Sequence, residues 1–182
     1  MHTAKILYES DGKAPNGQPF LTVKQARGYY EYSERPGMDS IAFILIDYNT
    51  NKIGLITESK PPLDERMGKL VDSTTAFGGS IDSNESYINI CQTEVLEEAG
   101  YNVPLENITE VGISMVSTQS SQLIHGFLVD VTDIHKETQT EYEILHSEDH
   151  TVWADPFEVF NGSDWKAIWI LAKAANGGHL RD

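Results

Sequence analysis

The chain has 182 residues, of which 40% are hydrophobic, and its 28 acidic and 13 basic residues give a formal net charge of −15 at pH 7. The length is sufficient for a substantial core. The acidic balance argues against a broad nucleic-acid-binding surface, because such surfaces rest on basic patches.

The N-terminal residues contain no apolar core of signal-peptide length. No segment approaches the roughly 18 apolar residues of a membrane span. The only cysteine, Cys91, leaves no intramolecular disulfide and suits a reducing compartment. We therefore expect a cytoplasmic protein that does not associate with membranes.

The first half of the chain is predicted to consist mainly of strands. Residues 4–9 and 22–32 are strand candidates, and Ser40–Asp47 (SIAFILID) is the clearest buried strand. Residues 53–57 return after the turn YNTNKIG. Two prolines and mixed charges predict a loop at 59–69, and 70–76 is predicted to be a strand that leads into a glycine turn at Gly78 and Gly79.

The segment after these glycines is predicted to be a helix with an acidic face. Glu94, Glu97 and Glu98 fall at i, i+3 and i+4, so an α-helix places all three carboxylates on one side. Their mutual repulsion is relieved by a hard divalent cation such as Mg²⁺ or Mn²⁺, which prefers several oxygen ligands. Cys91 lies on the opposite, apolar face as a core residue. One of residues 82–84 is expected to cap the helix start, and Gly100 to end it.

The second half is predicted to add strands at 110–117, 123–131 and 151–154, then helices at 156–160 and 164–176. His125 is expected to be a partly buried strand residue, not a metal ligand. The acidic stretch EYEILHSEDH is either a surface loop or the source of a further catalytic carboxylate. Its candidates are Glu141, Glu143, Glu148 and Asp149, flanked by His146 and His150.

Residues 79–101, which we call the box segment, resemble the Nudix box G-x5-E-x7-R-E-U-x-E-E-x-G-U, where U is aliphatic. Gly79, Glu85, Glu94, Glu97, Glu98 and Gly100 fall in register. Two positions differ: Thr93 replaces the box arginine, and Tyr101 replaces the last aliphatic residue. The resemblance implies an α/β Nudix fold, which is an α/β/α sandwich with a mixed β-sheet and a loop-helix-loop motif, covering nearly the whole chain.

The resemblance also implies the roles of individual residues. Metal ligands would be Gly79 through its carbonyl, Glu94, Glu97 and Glu98, holding Mg²⁺ or Mn²⁺. Catalytic candidates are Glu97, Glu98 and Glu148, and which of them serves as general base stays open. Thr93 carries no charge with which to orient Glu85, so weaker activity or a binding role without catalysis is an alternative.

Substrate-binding candidates rest on side-chain chemistry. Aromatic rings stack on bases, which nominates Tyr30, with Tyr29 and Tyr32 beside it. Cations attract phosphates, which nominates Lys60 and Arg66, with Lys69 nearby. The alternatives are ordinary strand tyrosines and a solvated loop.

The arrangement of the chain is similar to the ADP-ribose pyrophosphatase group of the Nudix hydrolases. The implied organisation is an N-terminal strand region at 1–38, acting as a dimerisation arm, and a hydrolase domain at 39–182. The implied substrate is a small nucleotide, with ADP-ribose or a related nucleotide-sugar first and a homodimer as the assembly. Ser117 stands where the group often has proline. Alternatives are hydrolysis of nucleoside triphosphates, dinucleoside polyphosphates or caps, and a non-catalytic nucleotide-binding regulator.

Overall fold

The computed structural model describes residues 4–14, 17–36, 39–81, 83–137, 151–162 and 164–180. The strands there are β1 Lys5–Glu9, β2 Thr22–Ala26, β3 Tyr30–Glu34, β4 Ser40–Asp47, β5 Lys52–Ser59, β6 Asp72–Thr75, β7 Phe77–Ser80, β8 Ile108–Met115, β9 Leu123–Asp130 and β10 Thr151–Ala154. The α-helices are α1 Pro61–Met67, α2 Tyr87–Glu94, α3 Pro156–Gly162 and α4 Trp165–Asn176. A π-helical turn, Val95–Ala99, continues α2.

The main sheet has seven strands and mixed polarity. Five of them follow the order β10-β5-β4-β9-β8, while β6 pairs with β5 and β7 pairs with β4. Strands β4 and β9 are parallel, and the other pairs are antiparallel. The central position of β4 explains its composition, since a strand covered on both faces is apolar throughout.

The two faces of β4 belong to two separate cores. Ile41, Phe43 and Leu45 pack with the apolar side of α2 and the π turn. Ala42 and Ile44 face the other way and pack with α4. Because side chains alternate along a strand, this single segment joins both layers, and helices cover both sides of a mixed α/β sheet.

Small residues on the α4 side allow the last helix to approach closely. Gly78, Ala42 and Gly126 form one cross-strand row, and a methyl group on Gly126 would lie 2.5 Å from the Trp169 ring. The glycine in β9 is therefore a packing requirement of the helix above it.

The N-terminal strands form a separate antiparallel sheet in the order β1-β2-β3. It joins the rest of the protein at the loop between β8 and β9, where the Ser33 N–H donates to Gln119 O at 2.8 Å and the Ser121 N–H donates to Ser33 O at 3.0 Å. Strand β1 is exposed along its whole length. The domain boundary after residue 38 stays a prediction.

Two predicted elements in the first half were wrong. Residues 22–32 form two strands, because Arg27 and Gly28 adopt positive φ values of 53° and 79° and turn the chain back. Residues 59–69 contain helix α1, whose prolines lie at the helix start where a missing N–H is tolerated.

The predicted glycine turn was also wrong. Gly78 and Gly79 lie inside β7 and pair with Ala42 and Ile41 of β4. The strand predictions for Ser40–Asp47 and Thr151–Ala154 were confirmed, and both end helices were present. None of the described helices combines the length and the apolar character that crossing a bilayer would require.

Gly126→Ala should lower the free energy of unfolding by about 2 kcal/mol, because the new methyl group overpacks the β9–α4 contact. Urea denaturation followed by tryptophan fluorescence measures this change. Gly12→Ala is the matched control, since a Cβ at Gly12 meets nothing within 4 Å. Equal stability of the two variants would contradict the packing argument.

Candidate functional site

Helix α2 begins later than the capping residues expected from the sequence. Ser86 is the N-cap, and its Oγ accepts from the Asn89 N–H at 3.4 Å. The prediction of a cap at residues 82–84 was therefore wrong, because the loop after β7 extends to Ser86. The Ser83 hydroxyl instead accepts from the Glu85 N–H within that loop.

The helix ends at Gly100, as the sequence predicted. Gly100 has φ 75°, and its N–H donates to Leu96 O at 3.1 Å. The last turn, Val95–Ala99, is wider than an α-helix. Such π turns are rare and are often found at functional sites. Here the wide turn contains Glu97 and Glu98, while Glu94 is the last α-helical residue.

The Glu94 carboxylate lies directly over Gly79. A Cβ built on Gly79 would fall inside the van der Waals envelope of Glu94 Oε1 and Cδ. A Cβ at this position would displace the carboxylate, so glycine allows the first residue of the box segment and its first helical glutamate to come into contact. The absence of a side chain at Gly79, the second glycine of the pair, makes this close approach possible.

Glu98 lies beside Glu94 over the same strand. The Gly78 N–H points to Glu98 Oε2 at 3.4 Å. The pKa of Glu98 is raised to about 7, chiefly by burial; the Gly78 N–H opposes the shift, the charges of Glu94 and Glu58 add to it, and Lys60 opposes it. Near neutral pH the protonated and the ionised forms of this carboxyl group are therefore similar in free energy.

Glu58 also belongs to this acidic cluster, although it was not among the residues predicted from the sequence. Its carboxylate pairs with the Lys60 ammonium group, and both charges act on Glu98. In β5 Glu58 follows Ile56 by two positions, and Ile56 packs on the α2 side of the sheet, so the pleat turns both side chains to that side. Lys60 therefore lies near Glu98 while it is paired with Glu58.

The donors around Gly79 suit a hard divalent cation. Carboxylate and carbonyl oxygens are the ligands that Mg²⁺ and Mn²⁺ prefer, and the space above Gly79 is kept free of any side chain of its own. Among the described residues, however, no three histidine, cysteine or acidic side chains already converge to hold a metal. Two carboxylates, those of Glu94 and Glu98, lie over β7 at Gly78 and Gly79.

Three further polar residues of the box segment lie at the surface. Glu97 is exposed, and its predicted role as ligand or base stays a prediction. Thr93 is exposed, and its Oγ1 donates to Asn89 O at 3.2 Å inside the same helix. Thr93 carries no charge with which to pair with Glu85, which is also exposed.

Tyr30 lies in a pocket of about 510 Å³ at the edge of the N-terminal sheet. Its hydroxyl donates to Thr118 O in the loop between β8 and β9. The walls of this tyrosine pocket are Ala26, Arg27, Tyr29, Tyr30, Tyr32 and Ser121. Several flat rings and an arginine in one pocket can hold a planar ligand.

Other candidates fall into three groups. Arg66 is exposed in the last turn of α1, and its role stays a prediction. Cys91 is fully buried, and burial strongly raises the pKa of its thiol, so it serves as a core residue. The acidic-stretch candidates, Glu141, Glu143, His146, Glu148, Asp149 and His150, lie outside the described residues.

No protein-family model matches the chain, and no curated protein matches it. Among solved structures, the crystal structure of an ADP compounds hydrolase is similar, with a TM-score of 0.66 over 100% of this chain and 98% of that chain. The sequence identity is 14%. At that identity the likeness shows a shared fold.

Gly79→Ala should weaken Mn²⁺ binding by about 10-fold or more, because the new methyl group displaces the Glu94 carboxylate. Isothermal titration with Mn²⁺ measures the affinity, and Gly12→Ala is the control in open space. Unchanged Mn²⁺ affinity in a folded Gly79→Ala protein would contradict the placement of the site.

Glu98→Gln should stabilise the metal-free protein at pH 8. The folded-state pKa of Glu98 is raised from 4.5 to about 7, so between these values the folded protein holds a proton that the unfolded chain releases. Stability is therefore lost as pH rises through that window. Above pH 7 the substitution should raise the free energy of unfolding by on the order of 2 kcal/mol, because glutamine carries no charge to bury.

Urea denaturation in EDTA at pH 5 and pH 8 tests this linkage. The stabilising effect of Glu98→Gln should be present at pH 8 and nearly absent at pH 5. Glu65→Gln, an exposed glutamate on α1, should leave stability unchanged at both. A variant that is less stable than the wild type at pH 8 would rule out the proposed burial of an uncompensated charge.

Proposed function

We propose that the protein is a Nudix-type hydrolase that uses Mg²⁺ or Mn²⁺ to cleave the pyrophosphate of a nucleoside diphosphate linked to another moiety. The observation that supports this most directly is the pair of carboxylates, Glu94 and Glu98, held over Gly78 and Gly79. A shared fold with an ADP compounds hydrolase agrees with the proposal.

The residues around Gly79 would hold the metal. Glu94 and Glu98 would supply carboxylate oxygens, with Glu97 and the Gly79 carbonyl as further ligands. A bound divalent cation would neutralise the phosphates and lower the pKa of an attacking water. Without such a cation, the carboxylates would repel the phosphate oxygens of the substrate.

The side chains prepare the site for this exchange of charge. Glu98 takes up a proton near pH 7 in the absence of metal, which lessens its repulsion with Glu94. Loading of the cation would release that proton. The Lys60 ammonium group is paired with Glu58. We propose that Lys60 leaves Glu58 and pairs with a substrate phosphate when the substrate binds, since phosphate oxygens are strong acceptors for a charged donor.

The substrate proposed first is ADP-ribose or a related nucleotide-sugar. Water would add to one phosphorus and the bond to the bridging oxygen would break, so that ADP-ribose gives AMP and ribose 5-phosphate. Tyr30 and its neighbouring rings form a pocket with the size and the flat walls for a base. Arg66 stays a second phosphate-binding candidate. The general base is Glu97, Glu98 or Glu148.

A second function is favoured by Thr93. Its hydroxyl is bonded within α2, so the cation that the resemblance expects beside Glu85 is missing from that position. A protein that binds the nucleotide and metal but turns over slowly or not at all, acting as a regulator, fits this departure. Binding without product formation distinguishes it from an enzyme.

A homodimer through the N-terminal sheet is part of the proposal. Large apolar side chains are exposed on β1 and in the segment before β2: Ile6, Leu7, Tyr8, Phe20 and Leu21. An exposed strand edge with apolar neighbours invites pairing with another chain. A second copy would cover them.

The experiment that tests the function is a panel of nucleotides with Mg²⁺ and product identification. ADP-ribose should yield AMP faster than ATP or a dinucleoside polyphosphate is cleaved. Glu98→Gln should reduce kcat by about 100-fold or more, beyond the usual effect of losing an outer-shell partner, while Glu65→Gln stays at the wild-type rate. Absence of turnover on every nucleotide, with binding retained, would support the regulator instead.

A further inference from the structure

We infer that Tyr87 and His125 form a positioning pair that sets where Glu94 stands over Gly79. The inference rests on the proposed function, because it concerns the same carboxylate. It assigns a purpose to a buried histidine that takes no part in the chemistry described above. Tyr87 is the first residue of α2, at the opposite end of the helix from Glu94.

His125 contacts the first residue of the helix, Tyr87. Its side chain is 4% exposed, and its ring centroid lies 3.9 Å from that of Tyr87, with the rings tilted by 52°. On the other side, His125 Nδ1 lies 3.2 Å from Glu110 Oε1 of the neighbouring strand β8. The imidazole is therefore fixed in orientation by one partner and covered by the other.

His125 and Gly79 lie in the same row of the sheet. Ile41 of β4 pairs with Gly79 of β7 on one side and with His125 of β9 on the other. Residues in such a cross-strand row present their side chains to the same face. This is the face on which α2 packs, since Ile41 shares a core with Cys91 and Val95.

The two contacts of the helix with this row have matching spacings. Tyr87 and Glu94 are seven residues apart in α2, which is about 10 Å along an α-helix. Gly79 and His125 are separated by two strand spacings, which is also about 10 Å. One end of α2 thus rests on His125 while the other end places its carboxylate on Gly79.

The Glu94 carboxylate occupies the space that a Cβ on Gly79 would fill, so any change in the height or tilt of the helix changes how the carboxylate lies over the glycine. Buried residues such as Cys91 and Val95 pack the middle and the end of the helix against the sheet. The Tyr87 ring on His125 adds the contact that holds the first turn of the helix over the same row of the sheet.

The test compares Tyr87→Phe, which keeps the ring, with Tyr87→Ala, which removes it. Mn²⁺ affinity of the protein, measured by titration without substrate, should fall about 10-fold in Tyr87→Ala and stay within 2-fold in Tyr87→Phe, in line with the effect of outer-shell partners. The Mg²⁺ concentration for half-maximal hydrolysis should rise in parallel. Phe157→Ala, an exposed aromatic residue on α3, should change neither.

A double-variant cycle tests the pairing itself. His125→Ala and Tyr87→Ala should weaken Mn²⁺ binding by similar factors, and the double variant should be no weaker than either one, because both remove the same contact. Multiplicative effects would overturn the pairing. Loss of thermal stability with unchanged Mn²⁺ affinity would reduce Tyr87 to a structural residue and also overturn the inference.

A crystal structure of Tyr87→Ala separates this inference from the proposed function. Displacement of the Glu94 carboxylate from Gly79 would support the positioning pair, even if the wild-type protein bound no Mn²⁺ and the proposed function failed. A Glu94 carboxylate in its original place over Gly79 would overturn the inference whatever the metal binding.

Discussion

The contact between the Glu94 carboxylate and the bare backbone of Gly79 is the constraint on which the site depends. It requires a glycine inside a strand, a helix that passes directly above, and a second carboxylate from the following turn. Each requirement is met by a different element: β7, α2 and the π turn at Val95–Ala99. Burial and the neighbouring carboxylates raise the pKa of Glu98, and carboxyl groups perturbed in this way are common at functional sites.

The central strand β4 holds these elements together. Its odd-numbered residues support α2, and its even-numbered residues support α4. It also pairs with β7 on one side and β9 on the other, so that Ile41 lies between Gly79 and His125. The apolar core under α2 and the carboxylates therefore lie side by side on the same face of the sheet. Burial on this face also raises the pKa of Glu98.

Much of this could be predicted from local patterns, and the failures have physical causes. The run SIAFILID is apolar enough to define β4, and the register of Gly79, Glu94 and Glu98 indicated the carboxylate cluster. Residues 61–67 were mistaken for a loop because proline is read as a breaker, although the first helical turn tolerates it. Glu58 was missed because its position depends on pairing between distant strands, and such pairing has no local signature.

The span of α2 between Tyr87 and Glu94 constrains length more strictly than composition. Insertion or deletion of one residue between them would rotate Glu94 about 100° around the helix and take its carboxylate off the glycine. A substitution on the exposed side of the helix, for example at Thr93, would leave the Glu94 carboxylate over the glycine. The residues on the exposed side of the helix can therefore be exchanged freely, provided that the seven-residue spacing between Tyr87 and Glu94 is kept.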